Sequence, residues 1–555
     1  MVTKTLTGQQ RTRSSWNWLG PMAVVIAITL SIPVLIIVGF SFYGETTVWE
    51  HLADTVLRRY ITNTIVLMLG VSVGVLLLGV GSAWLTSAFD FPGRSLFVWA
   101  LLLPLAIPAY IIAYTYTGLL DFAGPVQTSI REVTGLSYGE YWFFEIRSLP
   151  GAVVMLSLVL YPYVYLLART AFLEQSVNAI EVSRTLGLSI KASFYKVAIP
   201  LARPAIATGL TLALMETVAD FGTVQFFGVD TFTTGIFRTF YGFGDSVATA
   251  QLAATLLTFV AVLVFIERRS RWRARYYTTG QQSAHAKRVR LYGTKALGAW
   301  CMCFMPLAFG FLIPAGQLGY WAATHASQFD LNFALLVWNS FSLAFLAALI
   351  ALFVALLLAY AKRVYSTNIV NTSVGIASLG YALPGTIIAI GVIIPLAWLD
   401  HQLIAFAKHA LMWDIGLLLS GTVFALLIAY TIRFLAISIG AVESGLNKIR
   451  PSLDEAGLSL GRKKLWVLTK IHIPLMRGSV LTALLIVFVD VLKELPATLI
   501  LRPFNYNTLA VRAYELASDE RLADAAPASL MIVFVGIAPV ILLSRSISAG
   551  RPGTN

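Results

Sequence analysis

Long apolar runs alternate with short polar segments along the whole chain, and the length of those runs is the first thing they reveal. A helix rising about 1.5 Å per residue needs about 20 residues to cross a hydrocarbon core. About twelve runs are long enough. They are 20–42, 63–89, 96–120, 149–173, 204–228 and 248–267, then 297–321, 339–363, 369–399, 416–442, 478–501 and 528–544. The most polar long segment between them, 268–295, separates six runs from six. The pattern predicts an all-α polytopic membrane protein with a first half at 1–267, a basic linker at 268–295 and a second half at 296–555. An even number of spans in each half gives both the same orientation, so any repeat is related by a pseudo-two-fold axis along the membrane normal.

Composition agrees, with 58% hydrophobic and only 12% charged residues, unlike any soluble domain. The net charge of +13, from 40 basic and 27 acidic residues, raises the question of a nucleic-acid partner. Position answers it. Lys4, Arg11 and Arg13 precede the first run, and Arg268, Arg269, Arg271, Arg273, Arg275, Lys287, Arg288 and Arg290 fill the linker. Lys362 and Arg363 follow the eighth run and Arg545 the twelfth. All lie on one side of the predicted topology, which makes that side cytoplasmic. Both termini are expected there, with lipid rather than nucleic acid as the surrounding partner. The first run carries no small-residue cleavage pattern and reads as an anchor. Cys301 and Cys303, two positions apart in one run, point to different helix faces and read as apolar filler.

Sliding the chain against itself until Glu181 falls on Glu455 aligns 181–241 with 455–515 without a gap. At this one offset Gly187 meets Gly461, Lys196 meets Lys470, and an Ile-Pro-Leu at 199–201 meets another at 473–475. Arg203, Thr208, Thr234 and Arg238 also find their like. An apolar sequence aligned by chance matches Leu and Val, not these. The block begins in the cytoplasmic loop between the fourth and fifth spans of each half, about 174–203 and 443–477. It reads as a short helix, a glycine free to take the left-handed conformation, and a second short helix ended by Pro200 or Pro474.

These residues resemble the EAA loop of ATP-binding-cassette importer permeases, whose pattern is E-A-A, three residues, G, then nine to I-x-L-P. The resemblance implies the type I importer fold. It also implies docking residues Glu181, Val182, Ser183, Gly187 and Pro200 in the first copy and Glu455, Ala456, Gly457, Gly461 and Pro474 in the second. Val182 and Ser183 replace both alanines in one copy, and Gly457 replaces one in the other. The implied partners are two copies of a nucleotide-binding ATPase subunit, with coupling helices at 174–190 and 448–464 entering their clefts. No glycine directly precedes a lysine, so no phosphate-cradling G-x4-G-K-[ST] loop exists, and no cofactor is expected on this chain. ATP and magnesium are expected on the separate ATPase.

In the fifth span of each half a carboxylate stands at i and i+4: Glu216 with Asp220, and Asp490 with Glu494, matched at the same repeat offset. That spacing predicts one helix face, roughly 18 to 24 Å into the membrane. Each intramembrane charge costs roughly 2.5 to 3.5 kcal/mol, so four acids and the nearby Lys493 need water or partners. One reading is a translocation path lined by the acids. The other is a set of structural latches, with Lys493 paired to Asp490 or Glu494. Pro108 and Pro384 interrupt the third spans and predict kinks, either as gates or as packing devices.

The stretches ETVADFGTVQFFGVDTFTTGIFRTFY and DVLKELPATLILRPFNYNTLAVRAYE resemble fused bacterial ferric-iron permeases, as does YPYVYLLARTAFLEQS. The likeness is strongest over 161–241 and 430–515. It implies that a periplasmic or lipid-anchored binding protein delivers ferric iron, and that Glu216, Asp220, Asp490 and Glu494 are transient contacts for it. Iron(III) favours oxygen ligands, in agreement with the acids. Fused thiamine permeases share the architecture and stay open as an alternative, as does a proton-coupled secondary transporter whose acids would relay protons. His401 and His409 share one outer loop but make no metal-site pattern.

Overall fold

The structure, a computed structural model, describes residues 18–42, 44, 46–137, 140–174, 183, 185–272, 288–324 and 331–549. Among these, nine helices are long and apolar enough to cross a membrane, and two bent pairs raise the number to eleven. The shorter apolar helix Ala526–Leu542 occupies the place of the twelfth predicted span. Each predicted run coincides with a helix or a broken pair of helices, from Leu19–Phe40 at one end to Ala526–Ala549 at the other.

Repetition is visible in the backbone. The second span, Leu57–Ala88, and the eighth, Leu331–Val364, cover matching repeat positions. Each packs along the fourth span of its own half, Leu149–Glu174 or Val423–Leu446. Small residues permit the contact: Gly70 and Gly74 in one half, the buried Ala344 and Ala348 at the same repeat positions in the other. Without a hydrophobic drive between helices in lipid, such close backbone packing supplies the attraction.

Consecutive in sequence, the halves nevertheless exchange their leading spans. Leu19–Phe40 packs against Asn368–Ala377 and Gly385–Phe406 of the second half, where the Gly391 backbone lies against Pro33. Reciprocally, Gly293–Thr324 lies against the first half: Tyr116 Oη donates to the Phe309 carbonyl at 2.6 Å and Trp300 meets Phe97 edge-on.

The ends of the spans agree on sidedness. Phe89–Asp90, after the second span, forms a two-residue parallel bridge with Val289–Arg290 at the end of the linker, so these segments share one side. At the opposite side Arg147 reaches Asp121 and Glu520, joining the loop after the third span to the one after the eleventh. Lys4, Arg11, Arg13, Arg273, Arg275 and Lys287 lie outside the described residues.

Three expectations need correcting. The fifth and eleventh spans are not continuous helices: Ile199–Ala219 ends at Asp220 and a new helix starts at Gly222–Phe226, while Arg477–Leu492 ends at Lys493 before Pro496–Leu501. Pro108 and Pro384 do not kink helix interiors. Each stands immediately before a helix, with φ −57° and −54°, because a proline forces the residue ahead of it, Ile107 or Leu383, into extended backbone. The chain turns by 91° at the first of these breaks. Lastly, Pro200 and Pro474 do not end the second helix of the docking loops. A π-turn precedes each, Phe194–Ala198 and Leu468–His472, and its wider bonding accommodates a residue without an N–H. In the first half the helix runs on as Ile190–Ala219; in the second the break of 82° comes only at Met476.

Candidate docking loops and transport cavity

The second docking loop is described in full. Helix Ser452–Ser459 exposes Glu455 and Ala456 and buries Gly457. It closes at Gly461, whose φ of +73° only glycine adopts without strain, with Arg462 N–H donating to the Gly457 carbonyl at 3.1 Å. The first loop ends the same way: Gly187 has φ +84° and Leu188 N–H donates to the Ser183 carbonyl at 3.0 Å. Glu181 and Val182 lie outside the described residues.

The departures from E-A-A have a packing reason. Ser183 and Gly457 are the same repeat position, and so are the residues they face. Ser183 Oγ donates to Ser193 Oγ at 2.8 Å in a buried contact. In the other loop Gly457 faces Val467, whose Cγ2 lies 2.8 Å from where a Cβ on residue 457 would stand. A small polar pair in one loop is thus a glycine and a branched residue in the other.

All five intramembrane residues singled out by the repeat, Glu216, Asp220, Asp490, Lys493 and Glu494, line one cavity of about 130 Å³ between the halves. Pro108 lines it too; Pro384 does not, though its neighbour Tyr381 does. The acids differ in their engagement. Asp220 caps the helix that follows it, accepting from Val224 N–H at 3.1 Å and Thr223 Oγ1 at 3.0 Å. Glu494 does the same one repeat later, accepting from the N–H groups of Ala497 and Thr498 at 3.1 Å and from Thr498 Oγ1 at 2.9 Å. Asp490 holds Lys493 at 2.7 Å. Glu216 makes no hydrogen bond or ion pair among the described residues.

The second acid of each pair therefore sits at a helix break, where its carboxylate satisfies N–H groups the break would orphan. It does not share a continuous helix face with the first, as i,i+4 spacing had suggested. No three Asp, Glu, His or Cys side chains among the described residues stand together as a metal-binding set.

Lys493 is not the only cation at the cavity. Arg433 lines it as well, its Nη1 donating to the Leu383 carbonyl at 3.5 Å without an ion pair among the described residues. Sequence reading passed over Arg433 because its repeat counterpart is Val159, so the internal alignment gave no flag, although any intramembrane arginine marks an internal face. The glycine at 385 leaves room beside both charges: a Cβ there would stand 2.5 Å from Glu494 Oε1 and 2.8 Å from Arg433 Nη1. Tyr110, 5% exposed, also lines the cavity and its hydroxyl has no hydrogen-bond partner among the described residues.

Two pseudo-symmetric helical halves, broken spans around a charged central cavity and paired glycine-closed loops define a membrane transport permease. Residues 75–273 match the family of binding-protein-dependent transport system inner membrane components. Over 95% of this chain and 98% of the relative, it is 27% identical to the Fe(3+)-transport system permease protein FbpB 2 of Haemophilus influenzae. The Ferric transport system permease protein FbpB of Actinobacillus pleuropneumoniae is 24% identical over 84% of this chain and 69% of its own. The sulfate transport system permease protein CysW of Escherichia coli is 28% identical over 38% of this chain and 70% of its own. Along nearly its whole length the chain is thus similar to permeases of binding-protein-dependent, ATP-binding-cassette importers, which are transport subunits rather than enzymes.

Proposed function

We propose that the cavity between the halves is the translocation path of a ferric-iron importer. The observation that carries this reading is the convergence on one cavity of acids from both halves, Glu216 and Asp220 with Asp490 and Glu494. The ferric-transport relatives supply the cargo. In this reading Glu216, which makes no hydrogen bond or ion pair among the described residues, meets the passing ion first, while Asp490 is held by Lys493, and Asp220 and Glu494 keep the helix breaks in shape. A hard trivalent ion exchanging water for one or two carboxylate oxygens at a time passes; a full ligand set would trap it.

Two copies of an ATPase subunit carry ATP and magnesium and receive the loops closed by Gly187 and Gly461 on the cytoplasmic side, where both termini also lie. A loaded binding protein docks outside. Closure of the ATPases pushes the docking loops together, the spans open outward around the pseudo-axis, and hydrolysis reverses the motion. Vesicles holding the permease with its ATPase and binding protein should take up labelled ferric iron in an ATP-dependent way, and Glu216→Gln should lower uptake by about tenfold while the ATPase still binds. Uptake of thiamine instead of iron would overturn the cargo, and undiminished iron uptake in the variant would overturn the role of Glu216.

A further inference from the structure

Arg363 ends the eighth span, and its guanidinium joins three separate elements. Nε and Nη2 donate to Asp454 Oδ2 in the docking helix at 3.1 and 2.6 Å. Nη1 donates to the Leu446 carbonyl and Nη2 to that of Ile449 at 2.9 Å, at the end of the tenth span. The other Asp454 oxygen lies 3.1 Å from Nε2 of the fully buried His472, in the π-turn that leads to Pro474. Nearby, Tyr360 Oη donates to the Lys464 carbonyl at 2.8 Å and packs against the His472 ring.

Each contact restricts the docking helix in a different direction. A planar guanidinium that grips one carboxylate with two N–H groups while holding two carbonyls fixes orientation as well as distance, which apolar packing or an ammonium does not. With the arginine and aspartate side chains only 17% and 22% exposed, water competes weakly for these bonds. The three residues are not repeated in the first half: the counterparts of Arg363, Asp454 and His472 are Phe89, Ile180 and Ala198, none of them ionisable. What stands there is aromatic, with Trp84 on the second span against Phe172 and Phe194.

We propose that Arg363 is a positioning residue for energy coupling, which hands movement of the second docking helix to the eighth span. The proposal rests on the importer class and not on the identity of the cargo.

Its test is independent of cargo. In a chain whose Cys301 and Cys303 are replaced by Ser, spin labels at exposed Leu458 of the docking helix and exposed Leu331 at the far end of the eighth span report their separation in the complex with its ATPase. ATP should shift that separation in the parent, and the shift should be lost in Arg363→Gln and in Asp454→Asn with the ATPase still bound. Arg363→Lys should restore part of it, whereas Glu443→Gln, which breaks only the neighbouring 2.8 Å pair with Lys362, should leave it intact. An unchanged shift in Arg363→Gln and Asp454→Asn, or no shift in the parent, overturns the proposal. So does loss of ATPase binding in both variants, which would make the network merely the loop's support.

Discussion

Replacing Gly457 with Ser puts a Cβ 2.8 Å from Val467 Cγ2, where ordinary contact begins at 3.4 Å. Valine is stiff about χ1, so the docking helix rather than the side chain has to give way. Overpacking on this scale costs about 1–3 kcal/mol. Where that cost falls on the docked geometry, affinity for the ATPase should weaken by roughly 5- to 150-fold, at about 1.4 kcal/mol per tenfold. The chain itself holds the remedy. At the same two positions the first loop places Ser183 and Ser193, bonded at 2.8 Å and buried. Gly457→Ser combined with Val467→Ser should therefore recover binding to within about fivefold of the parent, with a coupling energy of at least about 1 kcal/mol between the sites. Titration of the purified permease with its ATPase measures all four corners of the cycle. Parental affinity in Gly457→Ser, or no recovery in the double variant, would refute the packing argument.

Gly461→Ala meets nothing within 4 Å, so its penalty is backbone alone; about 1–2 kcal/mol is expected, with Gly461→Asn recovering most of it because asparagine tolerates the left-handed region. Thermal unfolding and ATPase titration of the two variants should show that order. Gly385→Ala inserts a methyl between Glu494 Oε1 and Arg433 Nη1 and should cut ATP-driven uptake by about tenfold or more while leaving ATPase binding intact, since the docking loops are remote. Glu494→Gln loses one acceptor for the N–H groups of Ala497 and Thr498 and should destabilise the purified protein by about 1–3 kcal/mol, read as a lower Tm. Glu216→Gln, having no such bonds to lose, should lower uptake without lowering Tm.

Much of this was legible in the sequence because it depends on local chemistry repeated. Gly187 and Gly461 announced their left-handed turns by falling at one repeat position beside an acid and a proline, and backbone sterics make that inference nearly independent of context. The acids of the cavity were found because charge in an apolar run has to face inward. The breaks at Asp220 and Lys493 were not legible: hydropathy is indifferent to whether an apolar run is one helix or two, and Gly222 and Pro496 signal a break only once a carboxylate is seen receiving the freed N–H groups. Arg433 escaped, and Arg363 was read only as a charge marking one side, because the repeat used to find function erases whatever only one half possesses. The exchange of leading spans left no trace either, since a lipid-facing residue and one facing a foreign helix are equally apolar.

That exchange bears on how the protein is made. Leu19–Phe40 is synthesised early, yet Gly385–Phe406, against which it rests, follows only after more than 300 further residues. At about 5–20 residues per second, the leading helix waits roughly 20 to 70 s in the bilayer for its final neighbour. During that interval the groove around Pro33 that will receive Gly391 is open to lipid or to other nascent helices. Assembly is thus closed by the second half of the chain clasping a helix of the first, and a ribosome halted in the linker would leave Leu19–Phe40 resting on Ser246–Trp272 alone, without its seat on the second half.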